Sequence, residues 1–269
     1  GISNLGNEAV TLGSNDATLA AADLNTLNGY TTGNIDATEV TTLTGTIAAV
    51  NTVYAASASS GDGISELGNE AVTLSDTDGV TVATLNTLNG NTTGTINAGT
   101  ITAISGAITA LNTAYASSEI SGLGDQAVTL TDTTVAATDL TTLATANSSG
   151  TLAASSVSTI TGTADQIIAA YASGVVDSGL GDEAITINSG SVTVAQARSL
   201  NALTTGVVTG SITSGTTISA MLDADTGITE SAGSNAYTIT VASGDATATA
   251  ANLNSLDDLT TAAVDASNI

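Results

Sequence analysis

Histidine, cysteine, lysine, proline, phenylalanine and tryptophan are all missing from this 269-residue chain, and each absence removes a class of chemistry. Without imidazole, thiol or side-chain amine there is no imidazole base, no thiolate nucleophile, no Schiff-base amine and no charge-relay triad of the usual kind. Arg198 is the only cation against 25 acidic residues, a formal charge of −24. Phosphate backbones and anionic membrane surfaces are therefore excluded as partners, because both need clustered Lys or Arg. No disulfide can form, and Lys–Asn isopeptide crosslinks are equally ruled out. Turns fall to Gly, Asn, Asp, Ser and Thr, since proline is not there to make them. No stretch approaches the roughly 20 apolar residues of a membrane-spanning helix. The apolar residues are mostly Ala, Val, Ile and Leu, with five Tyr as the only aromatics, which suits thin, closely stacked layers. At about 1 M salt the Debye length falls to about 3 Å, so a saline exterior would screen such an acidic surface.

What is present is repetition. The phrase Leu5-Gly6-Asn7-Glu8-Ala9-Val10-Thr11-Leu12 returns at 67–74, at 123–130 and, as Leu180-Gly181-Asp182-Glu183-Ala184-Ile185-Thr186-Ile187, at 180–187. A worn fifth copy reads Ala236-Tyr237-Thr238-Ile239-Thr240, and aligning on alanine gives steps of 62, 56, 57 and 52 residues. The copies divide the chain into repeats at 1–62, 63–118, 119–175, 176–230 (with a shortened second half) and a partial repeat at 231–269. Each copy is itself double: Leu24-Asn25-Thr26-Leu27 is echoed by Val50-Asn51-Thr52-Val53, and Leu85-Asn86-Thr87-Leu88 by Leu111-Asn112-Thr113-Ala114. Half-repeats of about 24 to 31 residues have the length of solenoid coils.

Val-Thr-Leu and Ile-Asp-Ala alternate with period two, as half-buried strands do. Thr163-Ala164-Asp165-Gln166 fits a capping box, Thr138-Asp139 predicts a plainer N-cap, and Asn28-Gly29 and Asn89-Gly90 predict left-handed helix stops. The fold expected is an α/β repeat solenoid of strand–turn–short-helix coils with a parallel sheet. An all-β solenoid and a string of small β-rich domains are the alternatives. The repeat core is assigned to Val10, Leu12, Leu24, Leu27, Val72, Leu74, Leu85, Leu88, Val128, Leu130, Leu140, Leu143, Ile185, Ile187, Leu200 and Leu203.

The carboxylate pairs Asp223/Asp225 and Asp257/Asp258 read as solvated turn acids, and no catalytic residue is assigned. Asp76-Thr77-Asp78-Gly79 resembles the start of a calcium loop, making Asp76 and Asp78 candidate Ca ligands, but position 87 is Thr where the bidentate acid should stand. The repeated Gly-Asn/Asp-Glu/Gln turn is read as a tight turn whose polar groups satisfy the backbone, in preference to a metal site. No other cofactor is expected. Tyr54, Tyr115 and Tyr171 share one place in three copies; each ring is expected to pack over its own coil with the hydroxyl in water. Asn91 and Asn147 head glycosylation-type triplets, and Arg198 is a candidate for a salt bridge between coils or chains. Thr-x-Thr triplets at 100–102, 159–161 and 238–240 do not share one repeat position, which argues against an ice-binding lattice. Copy one matches internal copies well and residues 264–269 match the Ile35-Asp36-Ala37 strand, so the expectation is an excerpt of a longer array or a subunit that stacks head to tail.

The phrases Leu-Asn-Thr-Leu-Asn-Gly-x-Thr-Thr-Gly at 24–33 and 85–94, Thr-Leu-Thr-Gly-Thr at 42–46 and Ala-Tyr-Ala-Ser at 114–117 together resemble the very large repetitive cell-surface proteins of marine cyanobacteria, including the type associated with swimming motility. The resemblance implies an exported, surface or extracellular structural protein and carries no catalytic residues. The function expected is therefore that of a structural protein of an extracellular filament or cell-surface array, not an enzyme, whose partners are copies of itself and cell-surface polysaccharide. An adhesin stalk or a calcium- or carbohydrate-binding surface module is the alternative.

Overall fold

The computed structural model describes residues 5–57, 63–172, 174–229, 235–245 and 248–269; the repeat junctions expected at 62 and 230–231 lie outside the described residues. Two compact units divide the chain: Gly1–Thr129 with Ala146–Thr151, and Leu130–Thr145 with Leu152–Ile269. Each is an α/β arrangement in which short parallel strands alternate with short helices.

In the first unit the strands are β1 (Val10–Thr11), β2 (Thr18–Ala20), β3 (Ile35–Asp36), β4 (Thr42–Gly45), β5 (Ile64–Ser65), β6 (Ala71–Leu74), β7 (Val80–Thr81), β8 (Ile96–Asn97), β9 (Ala103–Gly106) and β10 (Ile120–Ser121). The helices are α1 (Ala21–Asn28), α2 (Ile47–Ser57), α3 (Val82–Asn91) and α4 (Ile108–Ala116). Strand register follows the sequence repeat. β1, β3 and β5 pair side by side through Val10, Ile35 and Ile64. One repeat later β6, β8 and β10 pair through Val72, Ile96 and Ile120. β6 also pairs with β4, and β4 with β2, through Val72, Leu43 and Leu19. The Ala-Val-Thr-Leu strand of the second copy thus lies between a late strand of copy one and a middle strand of its own copy, continuing one sheet across the repeat boundary.

The helices follow from a narrow apolar face. Val82, Leu85 and Leu88 in α3 are buried at three-residue spacing, as are Ile108, Leu111 and Ala114 in α4. Helices this short are marginal alone. Full burial of each large aliphatic side chain, worth about 1.5–3 kcal/mol, is what holds them. The recurrent Asn-Thr pair has two separate jobs. The Asn amide reaches the neighbouring helix: Asn25 donates to Ala49 O at 2.9 Å, Asn51 to Thr84 O at 3.1 Å and Asn86 to Ala110 O at 2.9 Å. The Thr hydroxyl instead bonds back into its own helix, Thr26 to Ala22 O, Thr52 to Ala48 O and Thr87 to Ala83 O.

Next along the chain come β11 (Ala127–Leu130), β12 (Thr134–Ala136), α5 (Ala137–Ala146), β13 (Thr151–Ala153), β14 (Thr159–Gly162), α6 (Ala164–Ala170), β15 (Ala184–Ile187), α7 (Val194–Asn201), β16 (Val208–Ser211), α8 (Ile218–Met221), β17 (Ala236–Thr240), α9 (Ala250–Asp258) and β18 (Val264–Asp265). In the second unit Val135, Ile160, Ile185 and Val208 continue one parallel ladder through β12, β14, β15 and β16. β17 then pairs with β18 through Ile239 and Val264, the same relation as Val10 to Ile35. This register corrects the alignment of the fifth copy: Thr238, not Ala236, stands in the place of Ala184.

Among the assigned core residues Leu12, Leu24, Val72, Leu74, Leu85, Leu88, Val128, Leu130, Leu140, Leu143, Ile185 and Leu200 are buried. Val10, Leu27, Ile187 and Leu203 are half-buried; the first three lie at or near the ends of β1, α1 and β15, and Leu203 follows α7. The capping box at Thr163 and Gln166 forms, and an unforeseen second one joins Thr193 to Gln196. Thr138 is not an N-cap: the chain passes from β12 straight into α5 at Ala137, leaving Thr138 inside the helix. The left-handed stops also fail, since Gly29 is right-handed at φ −75° and Gly90 lies within α3.

Candidate functional site

In copies two and four a recurrent Tyr, Glu and Thr converge on the turn before the Ala-Val-Thr-Leu or Ala-Ile-Thr-Ile strand, and in copy three a Tyr, Gln and Asn do the same. Glu70 and Glu183 are 1% exposed and Gln126 is fully buried. One terminal oxygen of each closes the turn on the N–H two residues earlier. Glu70 Oε2 accepts from Gly68 N at 2.9 Å, Gln126 Oε1 from Gly124 N at 2.7 Å and Glu183 Oε2 from Gly181 N at 2.8 Å. The same oxygen accepts a phenol. Tyr54 donates to Glu70 at 3.0 Å, Tyr115 to Gln126 at 3.2 Å and Tyr171 to Glu183 at 2.8 Å. The expectation that these hydroxyls face water is therefore wrong; the rings lie inward and the hydroxyls pair with the turn. Burial, the largest effect, pushes all three phenols well above the ordinary value of 10, and the neighbouring acids add to it.

The carbonyl of the same residue is held by the Thr-Thr-Gly phrase. Thr92 donates to Glu70 O at 2.8 Å and Thr204 to Glu183 O at 2.6 Å, while Gly94 N and Gly206 N each donate to that Thr hydroxyl at 2.9 Å. Glycine is required there by contact: a Cβ at Gly94 would lie 2.2 Å from Glu70 O, and one at Gly206 2.4 Å from Glu183 O. In copy three Asn147 replaces the Thr, its amide donating to Gln126 O at 2.9 Å. Asn147 is 4% exposed with its amide engaged, whereas Asn91 is exposed. In copy one Glu8 is exposed, although Thr31 still donates to its carbonyl at 2.6 Å. In the fifth copy Tyr237 takes the acid's place, fully buried, with its hydroxyl donating to Asn201 Oδ1 at 2.9 Å.

The candidate calcium ligands do not come together. Asp76 accepts from Ile47 N at 2.8 Å and so caps α2 from the following half-repeat, while Asp78 is exposed. Asp245 repeats that long-range cap on Ile218 N at 2.9 Å. Among the described residues no three Asp or Glu side chains converge as a metal cluster would require. Asp223 folds back on Asp225 N, Thr226 N and the Thr226 hydroxyl, a turn motif that, with Arg198 nearby, holds its carboxyl below the ordinary range. Arg198 also points its guanidinium at Gly227 O, 3.5 Å away. A surface pocket of about 400 Å³ is lined by Ala20, Gly45, Thr46, Ala49 and Leu74 among others, with no titratable side chain. Searches against protein-family models, curated proteins and solved structures find no match.

Proposed function

We propose that the chain is a structural repeat protein, a solenoid of strand–turn–helix coils that serves in an extracellular filament or cell-surface array. The observation that carries this reading is the recurrence of strand register within the first unit, where the triplet Val10, Ile35, Ile64 returns as Val72, Ile96, Ile120. Parallel ladders within each unit and the Asn clamps joining α1 through α4 support a scaffold whose chemistry is mechanical. The residue types left in the chain supply no activated nucleophile, and the buried polar groups serve turns and caps. Copies of itself and cell-surface polysaccharide are the partners proposed. Among the described residues no helix is long and apolar enough to cross a membrane.

Negative-stain electron microscopy of the purified chain tests the reading. Uniform fibres with and without millimolar Ca2+ are expected. Globular particles of ordinary dimensions would sink it, and isolated rods would favour the second reading, a stalk or a carbohydrate-binding module.

A further inference from the structure

The second terminal atom of the buried turn residue separates copy three from copies two and four. In copy three it is the amide nitrogen of Gln126, which donates to Asp125 Oδ1 at 2.7 Å, Gly122 O at 3.0 Å and Ile101 O at 3.1 Å. Three oxygens therefore ring that position. In copies two and four the same position is an oxygen, Oε1 of Glu70 and of Glu183, and each is buried without a hydrogen-bond partner.

The surrounding backbone is equivalent in all three copies. Gly122 and Gly179 have φ of +81° and +88°, and Glu66 in their place has +64°. The turn that carries Ile101 O closes from Ile101 N to Ala98 O at 3.0 Å. Its counterparts close from Val157 N to Ala154 O and from Val40 N to Ala37 O, both at 2.9 Å. Equivalence puts the Asp182 side chain and the carbonyls of Gly179 and Val157 around Glu183 Oε1. Around Glu70 Oε1 it puts the Asn69 side chain and the carbonyls of Glu66 and Val40.

An amide donor satisfies such a ring, but a carboxylate oxygen puts lone pairs against lone pairs. Burying an uncompensated carboxylate is expensive, and this chain has no lysine or histidine to pair with it; its one arginine lies against Gly227. The partner has to come from outside. Hard cations take oxygen ligands, and oxygens bound to Ca2+ at about 2.4 Å sit about 3 Å from one another. The Gln126 Nε2 position, which a carboxylate oxygen fills in copies two and four, lies 2.7, 3.0 and 3.1 Å from its three oxygens.

We propose that the turns at Glu183 and Glu70 each bind a calcium-like cation, using Glu183 with Asp182 and the carbonyls of Gly179 and Val157 in copy four, and Glu70 with Asn69 and the carbonyls of Glu66 and Val40 in copy two. Gln126 is the internally satisfied, cation-free version of the same turn. The copy-four site carries two carboxylates and binds more tightly than the copy-two site, which carries one. The two glutamates are buried while Asp182, Asn69, Gly179 and Glu66 are exposed, so each site has a buried carboxylate at its base and opens to solvent, and neither depends on the chain acting as a filament.

Tb3+ tests this directly, because Tyr171 and Tyr54 donate to the carboxylates that would ligate it and can sensitise its emission. Titration of the intact chain should give tyrosine-excited Tb3+ luminescence saturating at two ions, displaced by Ca2+, with Ca2+ raising the melting temperature. Glu183→Gln and Glu70→Gln copy the natural turn of copy three and should fold; each should remove one ion, and the pair should remove nearly all sensitised emission. Gln126→Glu should add a third ion. Absent luminescence together with a Ca2+-insensitive melting temperature would overturn the proposal, as would emission that survives in the double variant. A melting temperature that responds to pH and not to Ca2+, with the response lost in the Gln variants, would also overturn it and assign the position to a proton.

Discussion

At the residue scale, one backbone angle departs from what its side chain prefers. Glu66 has φ +64°, in the left-handed region, where the equivalent turns use Gly122 and Gly179. A Cβ there costs about 1–2 kcal/mol, offset in part by the greater freedom glycine gains in the unfolded chain. Glu66 is exposed, so its side chain gives up no packing on removal. Glu66→Gly is therefore expected to raise stability by about 1 kcal/mol, read as a higher urea midpoint at unchanged m-value. The buried phenols make a second prediction. Tyr54, Tyr115, Tyr171 and Tyr237 have folded values raised above the ordinary 10, chiefly by burial. Their contribution to stability is complete below that ordinary value and is lost as pH rises toward the folded values. Alkaline titration should show these four ionising together with the loss of far-UV circular dichroism. Ionisation of all four ahead of unfolding would place their hydroxyls in water after all.

At the element scale, several helices begin without a side-chain cap from their N-cap residue, and long-range bonds join elements far apart in the chain. The N-cap residues of α1, α3 and α4 make no side-chain cap bond, and α2 has both a local cap, Thr46 accepting from Ala49 N at 3.2 Å, and Asp76 reaching Ile47 N across 29 residues. The Asn clamps likewise join helices 24 to 33 residues apart. Losing one such bond should cost about 1 kcal/mol. Asn86→Ala is expected to lower stability by about that amount, and Asn86→Asp by more, because a carboxylate would then face Ala110 O; thermal melts of both variants check the order. These long spans mark where the sequence stopped being readable. Strand and helix positions were legible because Val-Thr-Leu and Leu-Asn-Thr-Leu carry local periodicity. So was the recurrence of Tyr, but its partner was not: Tyr54 meets Glu70 across 16 residues and Tyr171 meets Glu183 across 12, and no local rule couples them. Thr138 misled because α5 begins one residue earlier, at Ala137, which leaves Thr138 inside the helix and past the capping position. The fifth copy misled because a matching alanine outweighed a two-residue shift that only strand register reveals.

At the scale of the whole molecule, the dominant quantity is charge. Twenty-five carboxylates face one guanidinium, and most of those among the described residues are exposed, so they repel one another at a distance set by the solvent and not by any one contact. Between about 0.01 M and 1 M salt the Debye length shrinks from about 30 Å to about 3 Å. Repulsion in the folded state, where the acids are held at fixed separations, is relieved more than in the expanded unfolded chain. The melting temperature should therefore climb across that range, steeply at first and then flattening once screening is complete. Pure screening is indifferent to the monovalent cation, so NaCl and KCl should give superimposable curves. In the Glu70→Gln and Glu183→Gln pair the same climb should persist, because the exposed acids are untouched, while any extra rise caused by micromolar Ca2+ should vanish. A melting temperature that stays flat from low to high salt would mean that the folded chain holds its acids no closer together than the unfolded one does, and the acidic composition would then need an explanation other than tolerance of saline surroundings.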